Sequence, residues 1–96
     1  MTVNFLLQAT RVLNVGNYDE DELKMIYNFL TSVDNDVLID YNMNCTILSY
    51  DNDLHLYIEI LDAIMFIYEE REEYEKCSVI KSKKEESIKI MNKTTI

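Results

Sequence analysis

Apolar residues near the start of the chain recur at helical spacing. Leu6, Leu7, Thr10 and Leu13 fall on one side of a 3.6-residue repeat, with Val3 extending the stripe, and this predicts a helix over 3–14. Thr2 stands where an N-cap belongs. Gly16 follows the last periodic residue, where a left-handed cap favours a residue without a β-carbon. The next segment carries the clearest pattern. Leu23, Ile26, Tyr27 and Leu30 form an i, i+3, i+4, i+7 stripe, which predicts a helix over 20–32. Asp19 and Glu22 have the spacing of a capping box, with Asp in the place usually held by Ser or Thr. Asp19, Glu20, Asp21 and Glu22 together sit at the positive end of that helix's dipole. Gly16 and Asn17 permit a tight turn, so the first two helices are expected to form an antiparallel hairpin.

The middle of the chain fits two patterns. Val37, Ile39, Tyr41, Met43, Cys45 and Ile47 alternate with polar residues, as in a strand, while Leu38, Tyr41, Cys45 and Leu48 also make a helical stripe. A β-hairpin over 37–50 and a short helix are both compatible with that stretch. Asp51-Asn52-Asp53 then reads as a turn or an N-cap. Beyond it, Leu54, Leu56, Ile58 and Ile60 alternate at first, but the apolar run continues through Ile64, Met65, Ile67 and Tyr68, and its length predicts a single helix over 54–76. Only His55, Glu59 and Asp62 mark a polar stripe in its first half. A helix so apolar around its circumference is central in its own fold or covered by a second chain. Ile80, Ile88 and Met91 would tether a short last helix over 83–92. The fold class expected is therefore mostly α, a small helical bundle, with α+β as the alternative if 37–50 forms a hairpin. The expected core is Leu6, Leu7, Leu13, Leu23, Ile26, Leu30, Ile58, Leu61, Ile64 and Met65.

Composition supports long regular elements, since 96 residues contain no proline and one glycine. It also bears on origin. Two alanines and two arginines against abundant Asn, Ile, Lys, Tyr and Asp are what an AT-rich genome encodes, as in many viruses, phages and low-GC bacteria. The longest apolar stretch, Ala63 to Tyr68, is six residues, too short to span a bilayer. The first residues lack a basic region and a cleavage pattern. A cytoplasmic location is expected, in the host cell if the protein is viral. Cys45 and Cys77 match no zinc or redox spacing and read as two reduced, partly buried thiols, with a disulfide between them as the alternative.

Charge divides the chain. Residues 1–76 hold sixteen acids and four bases, a net of −12, and residues 77–96 hold five lysines and two glutamates, a net of +3. An acidic helical domain over 1–76 followed by a basic tail or short helix over 77–96 is the organisation this suggests. Phosphate backbones are gripped by Lys and Arg, so the body is not expected to bind nucleic acid directly. A basic protein surface is the better match, including the nucleic-acid groove of another protein.

Residues with chemical potential lack the company that catalysis needs. His55 is the sole histidine and has no nucleophile patterned around it, with Glu59 one turn on as a simple partner. Asp34-Asn35-Asp36 and Asp51-Asn52-Asp53 resemble pieces of calcium loops but lack the glycine of the sharp turn. The glutamates at 69, 70, 72, 73 and 75 lack the Glu-x-x-His pairing of dinuclear metal sites. Neither a metal nor a cofactor is expected, nor an enzyme. The opening helix pair is similar to the start of a death-fold domain, but the chain is short for the six helices of that fold, and no family is assigned on that basis. The seven tyrosines point elsewhere, because tyrosine is large, stiff and amphipathic and is favoured in interfaces. Glu69, Glu70, Glu72, Glu73, Tyr68 and Tyr74, together with Asp19 and Glu20, are the candidate protein-binding residues. The function expected is a small acidic protein-binding factor, an inhibitor or adaptor; a viral or phage protein that occupies a host factor by mimicking nucleic-acid charge is one form of it. The alternative is a structural subunit of a homo-oligomer that buries the apolar helix between copies.

Overall fold

The computed structural model describes residues 2–16, 18–43 and 52–94 and, within these, the side chains other than those of residues 2–5, 7, 14 and 94. Five helices follow one another among the described residues: α1 (Thr2–Val15), α2 (Glu20–Ser32), α3 (Asn35–Met43), α4 (Asp53–Glu70) and α5 (Tyr74–Thr94). No strand occurs among them. The molecule is a small, mostly α helical bundle, measuring 39 × 26 × 19 Å.

The centre of the bundle is α4, which packs against each of the other four helices. Leu54, Tyr57, Leu61, Ile64 and Tyr68 make one seam along it, and Asp53, Leu56 and Ile60 make a second beside the first; all are buried. Two adjacent helical seams in sequence produce the local alternation of Leu54, Leu56, Ile58 and Ile60, which is why the start of α4 imitates a strand. The other helices contribute Leu6 and Ala9 from α1, Leu23, Ile26 and Leu30 from α2, Leu38 and Tyr41 from α3, and Ile80 from α5. Of the expected core residues, Leu6, Leu23, Ile26, Leu30, Leu61 and Ile64 are buried. Leu13, Ile58 and Met65 pack on the core's margin, and the Leu7 side chain lies outside those described. Both α1 and α2 pack on α4.

Helix ends follow the local chemistry of the sequence. Gly16 takes φ +75° and its amide donates to the Val12 carbonyl at 3.1 Å, closing α1. The capping box of α2 is complete: the Glu22 amide donates to Asp19 Oδ1 at 2.8 Å, and the Asp19 amide donates to Glu22 Oε1 at 3.2 Å. Asp34 caps α3 by accepting from the Val37 amide at 3.0 Å. Asn52 caps α4 by accepting from the His55 amide at 3.0 Å, and its own amide group donates to the Asn42 carbonyl at 3.1 Å and to Asn42 Oδ1 at 2.9 Å. This clasp joins the last turn of α3 to the first of α4.

Three expectations need correction. The hairpin over 37–50 is not formed where the chain is described, since residues 35–43 are helical; residues 44–50 lie outside the described residues. Leu38 and Tyr41, three apart, face the core, while Ile39 and Met43, inward in a strand reading, are exposed at 41% and 76%. The single helix over 54–76 is in fact two. Its break is a Schellman turn, in which the Glu72 amide donates to the Glu69 carbonyl at 3.0 Å and the Glu73 amide to the Tyr68 carbonyl at 2.9 Å. Glu72 takes φ +60°, a left-handed conformation usually given to glycine. The last helix is not confined to 83–92. It starts at Tyr74 and is anchored by Ile80 and Ser87, whereas Ile88 is exposed.

The C-terminal end of α2 is tied down by other helices. The buried hydroxyl of Tyr57 in α4 donates to the Leu30 carbonyl. That carbonyl is one of the four at a helix end with no partner inside the helix. Ser32 Oγ donates to the Phe29 carbonyl at 3.0 Å, and Lys83 Nζ of α5 donates to the Val33 carbonyl at 2.6 Å. The Tyr57 ring also lies 5.7 Å from that of Tyr41. Burial, reinforced by Tyr41 and Glu86, pushes the Tyr57 phenol well above its usual range, so the neutral donor form persists.

Replacing Tyr57 by Phe leaves the Leu30 carbonyl without its donor and should cost about 1–3 kcal/mol in urea unfolding. Glu72→Gly should raise stability by about 0.5–1.5 kcal/mol by relieving the left-handed strain. Glu72→Ala removes the same charge but keeps the β-carbon, and should recover less of that gain.

Candidate functional site

Helix α4 ends in a run of carboxylates: Glu69 and Glu70 in its last turn, then Glu72 and Glu73 in the turn to α5, and Glu75 in the first turn of α5. The C-terminus of a helix is the negative end of its dipole, so acids there repel the fold's own field. Arg71 is the α4 C-cap, and its Nη1 lies 2.7 and 2.9 Å from the two carboxylate oxygens of Glu20 in the first turn of α2. The Arg71 side chain is 34% exposed and that of Glu20 66%, and a pair so open to water contributes little stability. Its importance is positional. It brings the acidic start of α2, Asp19 to Glu22, beside the acidic junction of α4 and α5, so residues fifty positions apart in sequence share one end of the bundle.

The candidate residues divide by exposure. Glu69, Glu70, Glu72 and Glu20 are exposed, and Tyr74 is 64% exposed. Asp19 is exposed, with its carboxylate engaged in the capping box. Glu73 is half-buried and accepts from Lys76 Nζ at 3.1 Å. Tyr68 is only 2% exposed, so it lies beneath the surface rather than on it. It meets Tyr27 edge to face at 5.5 Å, with the Lys76 ammonium 5.4 Å from its own ring and 5.9 Å from that of Tyr27. These three side chains form a platform under the acidic junction. The hydrogen bond and charge of Glu73 hold the Lys76 ammonium above its usual range, and burial pushes the Tyr68 phenol up.

Two surface residues escape the sequence-based reading. Phe66 is 62% exposed and, with Tyr18, Ile67, Glu70 and Arg71, lines a shallow depression at this end. Its signal is present in the spacing: His55, Glu59, Asp62, Phe66 and Glu70 follow one another at intervals of four, three, four and four, so Phe66 continues the polar stripe of α4. Tyr18 precedes the capping box and is placed by it.

What the arrangement offers chemically is a field of carboxylates broken by aromatic surface. Among the described residues no three His, Cys, Asp or Glu side chains are grouped to hold a metal ion. Cys77, half-buried in α5, has its Sγ 3.8 Å from the Met65 carbonyl. Burial, with the charges of Glu69 and Glu73 adding, raises its thiol above the usual range and so disfavours the nucleophilic thiolate. Cys45 lies outside the described residues. In a Cys45→Ser variant, alkylation of folded Cys77 should reach half its limiting rate at a higher pH than in the urea-unfolded chain. A midpoint at or below the unfolded one would contradict this reading of the thiol's surroundings.

Comparison of the chain with protein-family models, with curated proteins and with solved structures finds no match in any of the three.

Proposed function

We propose that this chain is a small acidic protein-binding factor with no catalytic role. It acts as an inhibitor or adaptor in the cytoplasm, the host's if the chain is viral, and holds a basic, partly apolar surface of another protein. One observation carries the reading: the contact of Arg71 with Glu20 gathers two separate acidic segments at one end of the bundle. Exposed Phe66 and Tyr74 add large contact area at small entropic cost. Carboxylates placed where structural stability disfavours them are better explained by a partner than by the fold. A net charge of −9 opposes direct contact with nucleic acid. It suits a partner whose own ligand is a polyanion, with the carboxylates standing in for phosphates. Among the described residues no helix is long and apolar enough to cross a membrane. The homo-oligomer alternative draws its motive from the apolar girth of α4, most of which packs against the other four helices while Phe66 stays exposed.

The test is affinity capture from lysate, eluted over a salt series, with the native chain and a Glu69→Lys/Glu70→Lys variant. The two lysines sit at the negative end of the α4 dipole, so the exchange should not weaken the helix. One dominant protein, released from the native chain only at high salt and absent from the variant, is the expected result. A partner retained equally by the variant would place binding elsewhere. If nothing is captured and the chain runs at a multiple of 11.4 kDa, the structural-subunit reading takes over.

A further inference from the structure

A shallow depression at the acidic end draws its walls from two parts of the chain. Tyr18 stands just before α2, Phe66 and Ile67 belong to the last turns of α4, and Glu70 and Arg71 complete the lining. Phe66 is the anomaly. Its neighbours along the polar stripe are Asp62 one turn before and Glu69 and Glu70 one turn after, all exposed acids, yet Phe66 presents 62% of its surface to water. Asp62 is paired with Lys84 Nζ at 2.6 Å. The one basic group in the lining, Arg71, is held by Glu20, so its charge is met from within the chain. The depression is thus apolar at its centre, with the Glu70 carboxylate and the Glu20-paired Arg71 at its rim and the exposed Glu69 beside it in sequence.

We infer that this depression, on the protein-binding reading on which the inference rests, takes a single apolar side chain from a partner segment that carries arginine or lysine on both sides of it. The rim fits cations, and the floor of Tyr18, Phe66 and Ile67 fits an aliphatic or aromatic group. A second copy of the chain is a poor occupant. It would bring another −9 of charge to an already acidic end. The two parts of the surface divide the work: the carboxylates set attraction and its salt dependence, and Phe66 sets which segment is kept.

The experiment uses two fluorescein-labelled peptides, one with a central leucine flanked by arginines and one with glycine in the leucine's place, titrated with the full chain by anisotropy. The leucine peptide should bind about tenfold more tightly than its glycine twin. Phe66→Ala should abolish that preference and leave the salt dependence unchanged, because an exposed side chain can be shortened without unfolding the helix. Glu70→Gln should do the reverse, weakening both peptides and flattening the salt dependence while keeping the preference. Equal binding of the two peptides, or a preference that survives Phe66→Ala, would overturn the inference but leave charge-led binding intact. Failure of both peptides to bind would overturn it as well, and the capture experiment would still decide the broader reading. A dimer dissolved by Phe66→Ala would assign the depression to a second copy and overturn the inference too.

Discussion

Everything in this bundle depends on covering α4. A helix with two adjacent apolar seams cannot stand at a surface, because each seam left in water forfeits the hydrophobic gain that holds a small domain together. With only 96 residues, the chain has few elements for the task. All four remaining helices are used, and α5 gives the broadest cover although few of its own residues are apolar. Tyr57 turns this crowding into a fixed geometry. Its ring fills the centre of the bundle while its hydroxyl meets the Leu30 carbonyl, so α4 and the end of α2 are held in register by a bond with a direction. Lys83 repeats the device from α5, reaching the carbonyl of the α2 C-cap, Val33. The C-terminus of α2 is thus completed by side chains from two later helices.

The opposite pole of α2 follows different rules. Its acidic start is favourable to its own dipole and needs no external explanation. The end of α4 is unfavourable on two counts, with carboxylates at a negative pole and a glutamate in a left-handed turn. Local choices that conflict with stability tend to gather where a protein meets something else. The platform of Tyr27, Tyr68 and Lys76 keeps this strained junction in place, with one cation between two rings and bonded to Glu73. The exposed carboxylates of this junction therefore stand directly above a packed aromatic pair.

Much of the architecture was legible in residue order, and the misses have physical causes. The α2 capping box and the Gly16 cap were readable because each depends on a few neighbouring residues. The end of α4 was hidden because its Schellman turn uses Glu72 where glycine would have announced it. The first helical seam of α3 was visible through Leu38 and Tyr41, but Ile39 and Met43 on its outer face imitated a strand. Half of the candidate surface was visible as a run of glutamates. Asp19 and Glu20 are candidates on charge, and the Arg71 contact supplies their placement beside the end of α4. Tyr68 lies in the core, a placement that sequence does not carry because a tyrosine suits a core and an interface alike. Phe66 resembles its neighbours in an apolar run, and only its phase, which matches the polar stripe, marks it as exposed.

The clasp between Asn42 and Asn52 has a consequence for how this chain can change. Two hydrogen bonds, at 3.1 and 2.9 Å, hold the end of α3 to the start of α4. A single side chain thus serves two helix ends at once: Asn52 accepts at the start of α4 and donates to the end of α3, so a change at Asn52 is felt by both helices, whereas a change of the Asn42 side chain removes one of the two bonds and leaves the backbone one.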